Sequence, residues 1–280
     1  MRSIPAPLVA ALVEKLALDV AFSLGQREIT AIRRALDEET SPRARYILEA
    51  ILENSSVASA RRLPLCQDCG SAVVFVERGD RVVIEGAGMC DAINEGVRSA
   101  YEKGFLRKSM LAGALDRRNT GDNTPAFIHC ECAPGDVFRV KFAAKGGGAE
   151  NTSALAMLPP AAGRSGVIDF VVDTVRRAGG RPCPPLVLGV AVGGNFETAP
   201  LLAKKALFRP LADPNPVPRL AEMERVILAA INDLGIGPMG LGGCTTALAV
   251  HLEEAPCHIA TLPVAVNVQC HSHRHAEGSL

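Results

Sequence analysis

The spacing of apolar residues changes once along this chain, near Pro64, and the change restricts the fold more than any other feature. In the first sixty residues, Leu8, Leu12 and Leu16 recur every four positions, which is the spacing of one helix face. After Pro64, short apolar runs bounded by turn residues indicate strands. Helical and strand patterns then mix without the strict alternation of a doubly wound sheet, so the sequence predicts an α+β fold with a mixed sheet.

The predicted elements follow from these patterns. A helical N-terminal portion is expected over about residues 1–62, and Ser41-Pro42 is typical of a helix start within it. Strands are predicted at 72–77, 81–85, 125–130, 137–144, 186–192, 247–252 and 259–268. The first two are expected to form a hairpin around Gly79-Asp80. Further helical patterns cover 91–113, 164–178, 198–208 and 218–234.

Composition excludes several classes of function. Thirty Lys and Arg residues balance thirty Asp and Glu residues, so the chain lacks the basic surface expected for nucleic acid or an anionic membrane. Nine Phe, two Tyr and no Trp argue against a base-stacking surface. With 280 residues and 48% apolar content, the chain is long enough to bury a hydrophobic core without disulfides.

The N-terminus carries a weak resemblance to a signal peptide, because Arg2 precedes the apolar stretch 4–13. Pro5 and Pro7 interrupt that stretch, and charged residues continue it as an amphipathic pattern. The uncharged run 234–250 is too short and too rich in Gly to span a membrane. We therefore expect a soluble, cytoplasmic protein that does not bind membranes and whose thiols stay reduced.

Nine cysteines are an odd number, so they cannot all pair within one chain. The motif Cys66-Gln67-Asp68-Cys69 has three readings: small buried side chains, a redox pair, or half of a zinc site. No second pair has the spacing of a zinc ribbon. The motif alone leaves these readings open.

Three cysteines, Cys66, Cys183 and Cys270, stand in unusual contexts, rich in Gly and Pro or at a strand end. They are 117 and 87 residues apart (183 − 66 and 270 − 183). Widely spaced thiolates that the fold gathers suit an iron–sulfur cluster, and three of them leave one iron open as a Lewis acid. Spacing alone favours three ordinary buried cysteines over a cluster.

The motifs taken together resemble the alpha subunit of the two-subunit iron–sulfur hydro-lyases, which comprise class I fumarate hydratases and L(+)-tartrate dehydratases. The similarity runs in order from about residue 40 to the end. It rests on LPLCQDCG, GVRSAYEKGFLR, NTGDNTPA, AAKGGGAENTSALAMLPP, CPPLVLGVAVGGN, GIGPMGLGGCTTALAV and LPVAVNVQCHSHR.

The resemblance implies a cofactor and its ligands. Cys66, Cys183 and Cys270 match the ligands of a 4Fe–4S cluster, one per alpha chain, whose fourth iron holds substrate. It also implies a single large α+β domain over residues 1–280, of the alpha type, carrying this iron–sulfur site.

Other site residues are implied in the same way. Gln67 and Asp68 match a polar pair that contacts substrate, with Asp68 also a catalytic candidate. Arg107 matches an arginine that binds a substrate carboxylate, a contact for which the guanidinium is well shaped. Gly147, within Gly146-Gly147-Gly148, matches a loop whose backbone approaches substrate. His258 matches the active-site histidine, a candidate acid or base.

Two cysteines depart from the family pattern. Cys69 stands where threonine is common, and Cys244 stands where a polar or basic residue is more usual; neither is counted as a ligand. His271 and His273 adjoin a ligand and are candidates to support it, whereas His275 is assigned to a solvated terminus. The remaining cysteines are interpreted as structural: Cys90, Cys130, Cys132 and Cys257.

The resemblance predicts the alpha subunit of a fumarate hydratase, which hydrates fumarate reversibly to (S)-malate. L(+)-tartrate dehydratase is the alternative with the same chemistry, and a non-catalytic zinc-binding or thiol-rich protein is the alternative of another class. In the family a second domain, on a separate beta chain in two-subunit members, completes the active site. This chain ends ten residues after Cys270, so we expect a smaller beta subunit, an α2β2 assembly and a small dicarboxylate substrate.

Overall fold

Helices and strands alternate irregularly along the chain, which confirms the α+β class. The computed structural model describes all 280 residues. Its helices are α1 Ala6–Phe22, α2 Gln26–Glu38, α3 Pro42–Arg61, α4 Met89–Lys103, α5 Gly147–Glu150, α6 Gly163–Ala178, α7 Thr198–Ala206 and α8 Pro218–Asn232. Its strands are β1 Arg2–Pro5, β2 Ser71–Gly79, β3 Val82–Glu85, β4 Phe127–Ala133, β5 Phe138–Lys145, β6 Ala154–Leu158, β7 Leu186–Gly194, β8 Ala247–Cys257, β9 Leu262–Gln269 and β10 His275–Ser279.

The chain divides into two compact units. The first comprises Met1–Gly25, Asn54–Gly147 and Arg274–Leu280, and the second comprises Gln26–Glu53 and Gly148–His273. The predicted helical N-terminal portion therefore contributes to both units, with one boundary between α1 and α2 and another inside α3. The assignment of residues 1–280 to a single domain stays a prediction.

The first unit is built on a four-stranded sheet in the order β10-β5-β2-β4. Its strand β2 pairs antiparallel with β5 and parallel with β4. Helices α1 and α4 pack against each other at Gly96, where a Cβ would lie only 2.5 Å from the carbonyl oxygen of Ala10. Glycine at this position thus allows the two helices to approach closely and share the apolar core of the unit.

The predicted hairpin between β2 and β3 is wrong. Strand β3 instead pairs in parallel with β1, in a separate two-stranded sheet. The turn after β2 bonds to the β4–β5 connection, because the amide of Arg81 donates to the carbonyl of Gly135 at 2.9 Å. A Cβ at Gly79 would lie 2.3 Å from that same carbonyl oxygen, so only glycine fits this close approach.

The second unit contains a sheet in the order β6-β9-β7-β8, with β7 near its centre. The predicted buried strand is confirmed, because β7 is almost wholly buried and pairs with both β8 and β9. Residue Gly189 lets α7 lie directly on the sheet, since a Cβ there would be 1.9 Å from the Ala203 carbonyl oxygen. Helices α6 and α8 contribute apolar residues to a separate core cluster with the sheet.

The helices predicted at 164–178, 198–208 and 218–234 are confirmed to within two residues. The helical pattern predicted over 91–113 ends early, at Lys103, where Gly104 follows as the cap. None of the helices is both long enough and apolar enough to cross a membrane.

Candidate active site

The segment Cys66–Gly70 is a loop in the first unit, between α3 and β2. Cys66 is half-buried, Gln67 is exposed and Cys69 is buried. The Cys66 thiol donates to the side-chain oxygen of Gln67 at 3.3 Å, and its Sγ accepts the amide hydrogen of Asp68 at 3.4 Å. These two contacts fix the direction of the Cys66 sulfur within the loop.

Three buried side chains hold the carbonyl groups of this loop. The hydroxyl of Tyr101 donates to the carbonyls of Cys69 and Gly70, at 2.8 and 2.9 Å. The amide nitrogen of Asn123 donates to the Gly70 carbonyl at 3.2 Å, and Nη1 of Arg274 donates to the Asp68 carbonyl at 2.7 Å. Three successive carbonyls are therefore satisfied from inside the unit, which fixes the conformation of the loop.

Asp68 connects this loop to the glycine segment after β5. Its Oδ1 accepts the amide hydrogen of Gly70 at 2.9 Å, and its Oδ2 accepts that of Gly147 at 2.7 Å. A Cβ at Gly146 would lie 3.2 Å from Oδ2, so glycine keeps the approach open. The structure thus brings together Asp68 and Gly147, two of the residues that the sequence nominated.

Cys69 performs the hydrogen bonding that a threonine hydroxyl could perform at this position. Its thiol donates to the carbonyl of Cys66 at 3.7 Å and accepts the amide hydrogen of Arg107 at 3.2 Å. Burial raises the pKa of the Cys69 thiol, although the Arg107 amide and the charge of Arg274 oppose this. The contact with its amide places Arg107 beside the loop, with the residue itself exposed.

Replacing Tyr101 with phenylalanine should loosen this loop. Burial raises the pKa of Tyr101, so its hydroxyl remains a donor at any physiological pH. Removing it takes the hydroxyl donor from the Cys69 and Gly70 carbonyls, of which only the Gly70 carbonyl keeps a donor, from Asn123. We expect the free energy of unfolding to fall by about 1–3 kcal/mol in urea titrations. The only other tyrosine, Tyr46, is 68% exposed, so Tyr46→Phe is the matched control and should change stability by under about 0.5 kcal/mol. Equal losses in the two variants would contradict the role of Tyr101.

Cys183 lies in the second unit, in a tight segment before β7. Its backbone is left-handed, with φ of 57°, and its carbonyl precedes the cis bond between Pro184 and Pro185. Backbones pack directly here, since a Cβ on Gly240 would lie 2.5 Å from the Cα of Gly180. This close approach explains why glycine stands at positions 180 and 240.

Cys270 follows β9 in the same unit, with its Sγ 3.6 Å from the Ser272 carbonyl oxygen. The next residue, His271, joins this segment to that of Cys183: its amide lies 3.4 Å and its Nδ1 lies 3.0 Å from the Cys183 carbonyl oxygen. His271 thus links the segments that carry two of the three candidate ligands, and its support of a bound cluster stays a prediction.

The other two histidines that follow Cys270, His273 and His275, are buried or half-buried and have partners elsewhere in the fold. His273 is buried, with Nδ1 3.0 Å from a carboxylate oxygen of Glu28 and Nε2 2.9 Å from the Leu207 carbonyl oxygen. The assignment of His275 to a solvated terminus is wrong, because this residue is half-buried in β10 and pairs with Ala143 of β5.

His258 is exposed in the turn after β8, in the second unit. The amide of Ala260 donates to its Nδ1 at 3.2 Å, so the neutral ring carries its proton on Nε2. The carbonyl of His258 accepts the amide hydrogen of Thr261 at 2.9 Å, which closes the turn. The neutral ring therefore presents a hydrogen-bond donor on an accessible turn.

The remaining cysteines lie at the surface. Cys244 is exposed, and its amide donates to the buried carboxylate of Glu39 at 2.8 Å. Burial opposes the charge of Glu39, but its hydrogen bonds from the amides of Ser41, Cys244 and Thr40 lower its pKa overall. The cysteines interpreted as structural are all exposed and so contribute nothing to the core: Cys90, Cys130, Cys132 and Cys257.

The three candidate ligands have the donor chemistry of an iron–sulfur site. Cys66, Cys183 and Cys270 are half-buried thiols outside any disulfide, and thiolates are the ligands that hold such clusters. Cys66 belongs to the first unit, and the other two belong to the second. Neither unit contains within itself three or more His, Cys, Asp or Glu side chains arranged to hold a metal ion.

Comparison with known families identifies the chain. The family model described as fumarate hydratase (fumerase) matches residues 10–279. The chain belongs to the fumarate hydratase family. The resemblance read from the motifs is confirmed, and with it the broad class of hydro-lyases.

Two relatives of this fumarate hydratase family member carry the name L(+)-tartrate dehydratase subunit alpha. The chain is 39% identical over 274 residues to one from Methanocaldococcus jannaschii, so named provisionally, and the match covers 96% of both chains. It is 32% identical over 250 residues to one from Escherichia coli K12, covering 88% of this chain and 82% of the relative.

Sequence reasoning missed the residues that hold the first loop: Tyr101, Asn123 and Arg274. Each lies in a motif that carried the resemblance, yet none was singled out. Their partners lie 31, 53 and 206 residues away along the chain. One signal was available: these polar residues lie within the motifs that carried the resemblance, yet none had been assigned a contact with substrate or cluster.

Proposed function

We propose that this chain is the alpha subunit of an iron–sulfur hydro-lyase that adds water to, or removes it from, a four-carbon dicarboxylate. One observation carries the proposal: within a fumarate hydratase family member, the Asp68 carboxylate accepts the Gly70 amide hydrogen within the loop through Oδ1 and the Gly147 amide hydrogen through Oδ2. A carboxylate with a fixed direction beside an accessible thiol is suited to position a substrate for proton transfer.

The proposed ligands of a 4Fe–4S cluster, one per chain, are Cys66, Cys183 and Cys270. When bound through only three thiolates, such a cluster supplies an iron open to a substrate oxygen, where it acts as a Lewis acid. The amide of Asp68 stabilises the Cys66 sulfur, and His271 holds the Cys183 carbonyl.

The other nominated residues bind and orient the substrate in this proposal. Arg107 offers an exposed guanidinium for one carboxylate, and Gln67 offers an exposed amide beside Cys66. The exposed backbone at Gly147 lacks a side chain that would block approach. His258 is the candidate acid or base and lies in an exposed turn, and the Asp68 carboxylate is held in a fixed orientation by the amides of Gly70 and Gly147.

We further propose a smaller beta subunit that completes the site and provides the general base on the opposite face of the substrate. The names of the relatives, which specify subunit alpha, support such a partner. An α2β2 assembly is the expected stoichiometry. Nine thiols outside disulfides suit a reducing compartment, so the proposed location is the cytoplasm.

Two substrates are candidates. The family description supports the reversible hydration of fumarate to (S)-malate. The names of relatives that match most of the chain favour the dehydration of L(+)-tartrate. Both substrates carry two carboxylates and lose or gain a hydroxyl beside one of them, so the same residues serve either reaction.

The proposal is tested by purifying the chain anaerobically with its co-expressed beta partner and assaying fumarate, (S)-malate and L(+)-tartrate. We expect the turnover of fumarate and (S)-malate to differ from that of L(+)-tartrate by at least about tenfold, in one direction or the other. We expect no turnover by the alpha chain alone. A broad absorbance at about 400 nm is expected for thiolate-bound iron. Stoichiometric zinc without iron, and no turnover, would instead support the non-catalytic metal-binding alternative.

A further inference from the structure

Arg274 is a buried cation in the first unit, directly before β10. Its side chain is 3% exposed and donates one hydrogen bond, from Nη1 to the Asp68 carbonyl. Its Nε is buried without a hydrogen-bond partner, and it forms no ion pair. Its own carbonyl accepts the amide hydrogen of Ala144 at 3.1 Å, so β5 fixes the backbone from which the side chain extends.

Such an arrangement does not favour stability. A charge removed from water costs several kcal/mol unless a counter-ion and hydrogen bonds compensate it. One hydrogen bond to a carbonyl compensates the guanidinium of Arg274 only in part, and an apolar side chain of similar volume would avoid the cost. The residue is therefore better explained by what it does to its single partner, Asp68.

The Arg274 guanidinium lies near both the Cys66–Gly70 loop and the glycine segment after β5. Nη2 would lie 3.5 Å from a Cβ on Gly146, and the Asp68 Oδ2 would lie 3.2 Å from the same point. Arg274 thus contacts the loop at the Asp68 carbonyl through Nη1. Its Nη2 lies near Gly146, close to the same point as the Asp68 carboxylate. Its charge also lowers the pKa of Cys69 against the effect of burial.

We propose that Arg274 is a positioning residue for the proposed reaction. By holding the Asp68 carbonyl inward, it fixes the backbone of that residue and so directs its carboxylate to the amides of Gly70 and Gly147. This inference rests on the proposed function for its kinetic part, whereas the geometry it predicts is measurable in the chain without any bound group.

The test compares Arg274→Met, which keeps the length and removes the charge and donors, with Arg274→Lys, which keeps the charge and a donor. Arg139→Met is the matched control, because Arg139 lies on β5 with a half-exposed side chain paired to Glu77. Hydrogen exchange of the Gly70 and Gly147 amides is measured on the alpha chain alone. In Arg274→Met we expect exchange about tenfold faster at these two amides, with little change in strand amides elsewhere.

The assembled enzyme provides the second readout. We expect kcat of Arg274→Met to fall about 100-fold through misplacement of Asp68, with KM changed far less. Arg274→Lys should recover part of both effects, and the melting temperature of Arg274→Met should match or exceed that of the wild type.

Three outcomes would overturn the role of Arg274: unchanged exchange at Gly70 and Gly147, unchanged kcat in an active enzyme, or a general rise in exchange with a lower melting temperature, which marks a structural role. If the wild-type assembly turns over none of the three dicarboxylates, the proposed function fails. The exchange experiment still decides whether Arg274 positions Asp68.

Discussion

Replacing Cys183 with serine should abolish iron binding while leaving the fold intact. The residue precedes β7 in a segment held by backbone contacts, including the donation from the Met239 amide to the Pro184 carbonyl at 2.9 Å. Serine is close in size and changes only the donor atom. Its oxygen is a harder ligand than a thiolate, and a cluster with three protein ligands has none to spare.

Iron and labile sulfide are measured after anaerobic purification, together with circular dichroism and the melting temperature. We expect about four iron atoms per wild-type chain and less than about one per Cys183→Ser chain. Cys90→Ser is the matched control, because Cys90 is exposed at the start of α4 and is not a proposed ligand. Equal iron contents in the two variants would show that Cys183 is not a ligand.

The same iron measurement on further variants distinguishes the proposed ligands from Cys69, which lies close to Cys66 in the same loop. Cys66→Ser and Cys270→Ser should behave like Cys183→Ser. Cys69→Thr should retain iron, since its thiol only bonds to the Cys66 carbonyl and the Arg107 amide, and a hydroxyl can replace it there. Loss of iron in Cys69→Thr alone would move the assignment from Cys66 to Cys69.

Local patterns predicted the elements that have long apolar faces. Strand β7 was evident from an uninterrupted apolar run, and α6 and α8 from their periodicity. Strands β1, β6 and β10 were missed because they have only four or five residues, their burial alternates weakly, and they lack the run of β-branched residues that marks the equally short β3. Each is defined by its pairing partner, as β10 is by β5, and such pairing is not visible in a short segment.

The site was predictable where chemistry is local and unpredictable where it depends on long-range contacts. The loop Cys66–Gly70 carries its own signal because a thiol, an amide and a carboxylate stand together in sequence. The contacts of Tyr101 and Arg274 with that loop arise only on folding. The failed hairpin has the same cause, since the Gly79 turn bonds to the distant Gly135 rather than back onto β2.

Acid should destabilise the protein through His251, a buried residue of β8. The residue is 2% exposed, and burial, together with electrostatic repulsion from Arg209 and His273, lowers its pKa to about 3; Ala206 and Asp213 oppose the shift. In the unfolded chain the same ring takes up a proton near its usual value of about 6.5. Between these values only the unfolded state binds the proton, so stability falls as pH decreases.

The stability that neutral His251 contributes is therefore present above about pH 6.5 and is lost progressively as pH falls towards about 3. The loss approaches about 1.4 kcal/mol per pH unit for one proton, or roughly 3 kcal/mol between pH 6.5 and pH 4. Urea unfolding at a series of pH values measures it. His251→Leu and His251→Gln should share a shallower dependence, even if their stabilities at pH 7.5 differ, because neither side chain titrates.

The difference between the pH slopes of the wild type and the His251 variants cancels the contribution of other acid-sensitive contacts, such as the pair of His273 and Glu28, because both variants keep these contacts. His258→Gln is the matched control: His258 is exposed in a turn, so its removal should leave the dependence of unfolding free energy on pH close to that of the wild type. If both His251 variants kept the full slope, the acid sensitivity would have to come from the carboxylates, and Glu28 and Glu39, whose pKa values the fold lowers, would be the groups to replace next.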